Sequence, residues 1–131
     1  MKRTVLLLLF TLPALVSYSQ SFFAQPQVWI VSTVTDGSNK KSILTSTFVS
    51  NKETITWKQP GLTTEYKIRA VEGTWADLQK PGSITLTTED SDGKVVLKFS
   101  KRSSRITIHM QVLPEGLEYM FEVAQRKPVS E

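Results

Sequence analysis

The sequence contains no cysteine and only one histidine among its 131 residues. Without cysteine the chain can form no disulfide, thiolate nucleophile or cysteine-ligated metal site, so its stability must come from packing and from sheet hydrogen bonds. With one histidine, a transition-metal site would need several clustered carboxylates, and the sequence shows no such cluster. We therefore expect neither a cofactor nor catalysis.

The excess of positive over negative charge is also small. The formal net charge of +4 falls to +2 when Lys2 and Arg3, which lie in an N-terminal leader, are left out. So weak an excess of positive charge does not favour nucleic acid as a partner.

The leader has the pattern of a secretory signal peptide. Lys2 and Arg3 give a positively charged start, residues 5–16 form an almost wholly apolar core, and Ser17 and Ser19 are small residues where a signal peptidase reads them. Spanning a bilayer takes about 20 apolar residues, so this core is too short to be a membrane anchor.

We predict cleavage after Ser19, with cleavage after Ala24 as the second alternative. The absence of cysteine excludes a lipoprotein anchor at either site. The predicted organisation is a signal peptide over residues 1–19 and a single β-domain over residues 20–131, without a membrane span and exported to the periplasm or the medium.

Alternation of apolar and polar residues with a period of two runs from Gln27 to Gln125, without a convincing stretch of helical period. Short breaks rich in turn residues interrupt it. Links this short join antiparallel neighbours, because a parallel crossover needs a dozen or more residues. The predicted strands are 27–35, 42–50, 53–58, 65–72, 83–88, 95–101, 106–113 and 117–124.

The register of the last three strands follows from the requirement that apolar residues meet on one face. Loops at 102–105 and 113–116 place Phe99 opposite Ile108 and Ile108 opposite Phe121. One continuous apolar face results, with a polar face on its reverse.

Two further turns extend this pairing. A two-residue turn at 51–52 places Phe48 opposite Ile55. A two-residue turn at 92–93 places Leu86 opposite Phe99, which adds strand 83–88 to the apolar face of the last three strands.

An eight-stranded meander with one apolar face can close into an up-and-down barrel or fold into a two-layer β-sandwich. The connections favour the barrel, because only segment 73–82 is long enough for the crossover that a sandwich usually contains. An outer-membrane barrel is not expected, because the aromatic residues fall on faces predicted to be buried. We therefore predict an all-β fold, an antiparallel up-and-down barrel of about eight strands, with the β-sandwich as the alternative.

Two segments carry a family resemblance. Residues 29–37, which begin with Trp29, and residues 47–57, which contain Phe48, resemble the opening of small bacterial lipocalin-like proteins. In that family a first-strand tryptophan is followed by a hairpin and by a strand that ends in phenylalanine before another short strand. The resemblance covers about residues 28–90 and implies a β-barrel whose apolar interior accepts a small hydrophobic ligand.

The chain departs from that family at one motif. The family usually has Gly-x-Trp at its first tryptophan, and here Gln27 stands in the place of the glycine. The one Gly-x-Trp of this sequence ends at Trp75, in the middle of the chain.

Aromatic residues are the candidate ligand contacts. Their ordinary role in a β-domain is core packing, and lining a cavity is the alternative. The small Ser46 lies between Trp57 and Val31, which leaves volume unfilled unless a neighbour occupies it. Segment 73–82 is a candidate lid, with Trp75 over the barrel mouth. The candidate ligand-binding residues are Trp29, Ser46, Trp57, Tyr66, Trp75 and Tyr119.

Basic residues gather around one predicted hairpin end. They are typical of a solvated turn, and they are also candidate contacts for an anionic lipid or glycan or for a partner protein. These residues are Lys98, Lys101, Arg102 and Arg105.

Two other features favour ordinary structural roles. His109 is predicted to lie opposite Lys98 on the polar face, with no carboxylate placed to orient its ring, so we expect an exposed histidine. Residues 89–93 resemble part of a calcium loop, but Thr88 and Phe99 stand where its end ligands should be, which favours a hairpin turn.

These observations lead to two expected functions. The first is an exported, non-catalytic domain that holds a small hydrophobic or amphipathic ligand inside a barrel. The alternative is a structural or interaction domain that recognises a protein or a glycan through its surface.

Overall fold

The computed structural model describes residues 22–129. The predicted signal peptide, residues 1–19, lies outside the described residues. Within residues 22–129 there is no helix with the length and apolar character needed to cross a membrane. The strands are β1 (Gln27–Thr35), β2 (Lys41–Ser50), β3 (Thr54–Gln59), β4 (Leu62–Glu72), β5 (Gly82–Asp90), β6 (Gly93–Arg102), β7 (Arg105–Val112) and β8 (Leu117–Pro128).

The eight strands form one closed antiparallel barrel in sequence order, and β1 pairs with β8 to complete it. This confirms the predicted up-and-down barrel over the sandwich. β8 continues to Pro128, beyond its predicted end, because its last residues pair with the start of β1, where Gln27 lies opposite Pro128. Closure gives both edges of the sheet a partner.

The predicted register of the last three strands is confirmed. Phe99 lies opposite Ile108, and Ile108 lies opposite Phe121. All three side chains are fully buried. Burial of one face is what specifies this register, since a slip by one residue would turn the apolar face to solvent.

The turn predicted at 51–52 lies one residue later in the structure. Phe48 therefore pairs with Trp57 rather than with Ile55. The cause is Asn51, whose side-chain oxygen accepts the backbone N–H groups two and three residues later at 2.9 and 2.8 Å. An asparagine that caps a turn in this way sits before its two central residues. The predicted position of Ser46 between Trp57 and Val31 is confirmed for Val31 and is wrong for Trp57.

The turn predicted at 92–93 lies one residue earlier. Leu86 pairs with Leu97 rather than with Phe99. Asp90 caps this turn, since its Oδ1 accepts the backbone N–H groups two and three residues later at 2.9 and 3.0 Å. Both displacements change the pairing by two residues, so every side chain keeps its predicted face.

The barrel has two ends, which we name after one residue at each. The Trp75 end carries the loops 51–53, 73–81 and 103–104 and the segment before β1. The Tyr119 end carries the loops 36–40, 60–61, 91–92 and 113–116.

Aromatic rings fill the interior near the Trp75 end. Phe22 precedes β1, is 1% exposed, and packs with its ring centroid 5.7 Å from Trp29 and 5.1 Å from Phe99. Trp29 and Phe99 themselves lie 4.9 Å apart. The sequence pattern did not assign Phe22 to the core, because this residue belongs to no strand.

Candidate functional site

The Trp75 end of the barrel is closed by packing. Trp75 is 3% exposed, its indole N–H donates to the carbonyl of Lys80 at 3.0 Å, and its ring lies 6.0 Å from that of Trp29. The backbone N–H of Phe22 donates to the carbonyl of Trp75 at 3.3 Å. Trp75 thus covers this end, where the sequence predicted a lid, but rings pack directly beneath it.

An arginine and a glutamine form a polar pair beside the aromatic rings that close this end of the barrel. Arg126 Nη1 donates to Gln27 Oε1 at 2.7 Å, and burial lowers the pKa of the arginine despite the opposing influence of Asp77. Its Nε is buried without a hydrogen-bond partner in the part of the chain that the structure describes. This end of the barrel therefore combines packed aromatic rings with a partly desolvated cation.

A ladder of rings leads from the interior towards the Tyr119 end. Phe48 and Trp57 stack with centroids 5.3 Å apart and an interplanar angle of 3°. Trp57 then meets Phe121 edge-on at 5.3 Å, and Phe121 lies 6.5 Å from Tyr119. Trp57 and Tyr119 are only partly buried, so apolar ring surface is closer to solvent here than beneath Trp75.

Two polar atoms beside this ladder have no hydrogen-bond partner among residues 22–129. They are Ser46 Oγ and Trp57 Nε1, and both are buried. The indole of Trp29 shows the usual arrangement, since its N–H donates to Ser50 Oγ at 2.9 Å. A buried polar atom left without a partner costs about 1–3 kcal/mol, so each of these two atoms would be stabilised by a hydrogen bond to another polar group.

A surface cleft of about 710 Å³ opens beside Tyr119. It lies between loop 36–40 and the start of β8, and Leu117 and Met120 contribute apolar surface to it. Leu117 is about half exposed. The cleft brings Tyr119, the outermost ring of the ladder, into contact with a space large enough for a small ligand.

Tyr66 lies elsewhere in the barrel interior, opposite Ile55 on the neighbouring strand. It is 5% exposed. Burial, reinforced by the negative charge of Asp90, raises the pKa of its hydroxyl to about 12. At neutral pH it is therefore an uncharged member of the core.

Tyr66 should make the stability of the barrel fall above pH 10. Its folded pKa is raised to about 12, whereas an unfolded tyrosine ionises near pH 10. Between these values the unfolded chain releases a proton that the folded chain keeps, so the contribution is complete below pH 10 and is lost as the pH rises towards 12. Between pH 9 and pH 11 the free energy of unfolding, measured by urea denaturation, should fall by about 1 kcal/mol less in Tyr66→Phe than in the wild type. Equal pH dependence in the two proteins would contradict this assignment.

The four predicted anion contacts lie close together in the structure, since Arg105 is directly opposite Arg102, but their side chains have different surroundings. Lys98, Lys101 and Arg102 line one groove on the outer wall of the barrel. Arg105 instead pairs with Glu122, with 3.4 Å between Nη2 and Oε2.

Glu122 is the centre of a small surface network. Thr33 donates to one of its oxygens at 3.1 Å, and the ammonium of Lys41 lies 3.4 Å away. The hydrogen bond from Thr33, together with Lys41 and Arg105, holds the pKa of Glu122 below its ordinary value. This carboxylate is therefore already engaged by the cations around it.

His109 lies opposite Lys98, as predicted. The expectation that no carboxylate orients its ring is wrong, because Glu118 Oε1 lies 2.9 Å from His109 Nε2. Directly opposite His109 on β8 is Met120, and Glu118 is its diagonal neighbour. Long side chains reach such diagonal positions. Among residues 22–129, no group of three or more histidine, cysteine or acidic residues is arranged to hold a metal ion.

The structure does not bring all the predicted ligand residues together. Trp29 and Trp75 pack at one end, and Trp57 contacts Phe121, which leads to Tyr119 at the other. Ser46 lies on β2 opposite Val31, and Tyr66 lies apart on β4. Comparisons of the chain with protein families, with curated proteins and with solved structures find no match.

Proposed function

We propose that this barrel is an exported, non-catalytic binding domain that holds a small amphipathic molecule at its Tyr119 end, in the manner of lipocalin-like proteins. The observation that carries the proposal is the pair of buried, unpartnered polar atoms, Ser46 Oγ and Trp57 Nε1, beside a ladder of aromatic rings. Eight-stranded barrels of this size have room for side chains or for one small ligand.

The two atoms restrict the chemistry of the ligand. An indole N–H only donates, whereas a serine hydroxyl both donates and accepts, so the polar group of the ligand has to accept a hydrogen bond from Trp57. Neither Ser46 nor Trp57 carries a charge that would offset a buried carboxylate. These facts favour a neutral acceptor, a hydroxyl or carbonyl group, attached to an apolar body that packs against the rings.

Export is part of the same proposal, and it is supported by the charged start and short apolar core of residues 1–19. Cleavage after Ser19 would leave Phe22 on the mature chain, where it packs against Trp29. Cleavage after Ala24 would remove this buried ring. The position of Phe22 in the core therefore supports the first site.

Titration with 1-decanol and 2-decanone should produce a saturable change in tryptophan fluorescence. The signal should come mainly from Trp57, because the other two indoles are buried and hydrogen-bonded. Ser46→Ala should weaken binding about fivefold, the equivalent of one hydrogen bond of about 1 kcal/mol. Trp57→Phe keeps an aromatic ring, removes the donor and should abolish most of the fluorescence change.

Ser104→Ala is the matched control for Ser46→Ala, because Ser104 is an exposed serine in loop 103–104, at the Trp75 end of the barrel. It should bind as the wild type does. No saturable response to either compound, or equal weakening by the two serine substitutions, would overturn the proposal.

A further inference from the structure

A second concave surface lies on the outer wall of the barrel, away from the interior. It is a groove of about 650 Å³ across β5, β6 and β7, with Met120 of β8 at one side. Its polar lining residues include Ser83, Lys98, Ser100, Lys101, Arg102 and Thr107.

The positive charge of this groove is not neutralised within it. Among the described residues that line it there is no carboxylate. The nearest acidic side chains lie on β8 at the edge of the groove and already have partners. Glu118 bonds His109, which itself lines the groove, and Glu122 pairs with Lys41 and Arg105. A cationic concavity of this kind raises the local concentration of anions.

Hydroxyl groups form a row across the floor of the groove. Ser83 lies opposite Ser100, and Ser100 lies opposite Thr107. The hydroxyls of Ser100 and Thr107 are 3.0 Å apart and bonded to each other. Each hydroxyl has both a donor and acceptor capacity, so the row offers further hydrogen bonds to a bound molecule.

Cations stand on both sides of this row. Lys98 and Arg102 lie two residues before and after Ser100 on β6, and a period of two places all three on the outer face. Four residues of strand separate the two cations by roughly 13 Å. Lys101 adds charge at the Trp75 end, where its ammonium donates one hydrogen bond, to the carbonyl of Gln79 at 2.9 Å. A single small anion would not span Lys98 and Arg102.

We infer that this groove binds an anionic polysaccharide, a chain of sugars that carries carboxylate or sulfate groups. Its charged groups would meet Lys98 and Arg102, and its sugar hydroxyls would bond the row formed by Ser83, Ser100 and Thr107. The hydroxyl row favours a glycan over an acidic peptide. No phenylalanine, tyrosine or tryptophan lines the described groove, which disfavours single-stranded nucleic acid, since that ligand usually stacks its bases on such rings.

Binding of the full-length mature protein to heparin and to polygalacturonate tests this inference, because these chains carry sulfate and carboxylate groups respectively. The double variant Lys98→Gln with Arg102→Gln should bind at least one of the two polymers at least tenfold more weakly at 50 mM NaCl, with a smaller dependence of affinity on salt. The double variant Lys58→Gln with Lys67→Gln removes two charges from lysines that are exposed on β3 and β4, so it is the charge-matched control and should bind as the wild type does.

Poly-glutamate separates the glycan from an acidic peptide. The wild type should bind at least one of the polysaccharides more tightly than poly-glutamate, and Ser100→Ala should weaken only polysaccharide binding, about threefold. Wild-type affinity in the double variant, no binding to either polysaccharide, or poly-glutamate bound as tightly as both would overturn the inference. Thermal denaturation of each variant checks that these substitutions leave the barrel folded.

Discussion

Replacement of Phe22 by alanine should lower the free energy of unfolding by about 3–5 kcal/mol, as deletion of a buried ring does elsewhere. The ring is 1% exposed and packs against Trp29 and Phe99 inside the barrel. Its loss would leave a cavity in a part of the core made of rigid rings, which cannot collapse easily to fill it. Urea denaturation followed by tryptophan fluorescence measures the change.

Phe23→Ala is the matched control. Phe23 is the neighbouring phenylalanine, is only partly buried, and meets Phe22 edge-on with centroids 4.9 Å apart. Its replacement should cost less than half as much, because less surface is buried with it. Equal costs for the two variants would mean that Phe22 is not a core residue.

The same measurement connects the fold with the proposed cleavage of the N-terminal leader. A chain that begins at Gln20 should have the full stability of the barrel, and a chain that begins at Gln25 should lose about as much as Phe22→Ala. The two candidate cleavage sites, after Ser19 and after Ala24, therefore predict mature proteins of different stability. The short segment before β1 is thereby part of the folded domain.

The strands and their faces were predictable because one physical rule dominates in a one-sided sheet. Apolar residues with a period of two must meet on the buried face, which fixes the pairing of Phe99 with Ile108. The turns were harder, because both Asn51 and Asp90 cap turns that begin one residue away from the predicted positions. Both errors shift the pairing by two residues, which leaves each side chain on its predicted face, so the composition of the core is unchanged.

The interactions that sequence reasoning missed depend on three-dimensional proximity. Phe22 precedes the first strand, so no alternation marks it as buried. The bond between His109 and Glu118 joins diagonal positions that a list of opposite pairs omits. The small size of Ser46 did draw attention to its surroundings, but only the structure shows that its hydroxyl lacks a partner among the described residues.

Gly82→Ala should destabilise the barrel by about 2–3 kcal/mol, through overpacking and the loss of one hydrogen bond. A Cβ at Gly82 would lie 2.5 Å from Cδ1 and 2.8 Å from Nε1 of Trp75. That indole cannot easily move aside, because it donates to the carbonyl of Lys80 and packs against Trp29. The small residue at the start of β5 is therefore what allows Trp75 to close this end of the barrel.

A double-mutant cycle separates this clash from an effect of alanine on the strand itself. In a Trp75→Leu background the obstructing ring is absent, so Gly82→Ala should cost less than about 1 kcal/mol, and the difference is the coupling between the two sites. Gly61→Ala provides the control for backbone conformation, since its φ of +78° disfavours alanine but nothing lies within 4 Å of the added Cβ. It should cost about 1–2 kcal/mol in either background. The same cost of Gly82→Ala with and without the Trp75 ring would show that closure of this end does not depend on the fit between the two residues.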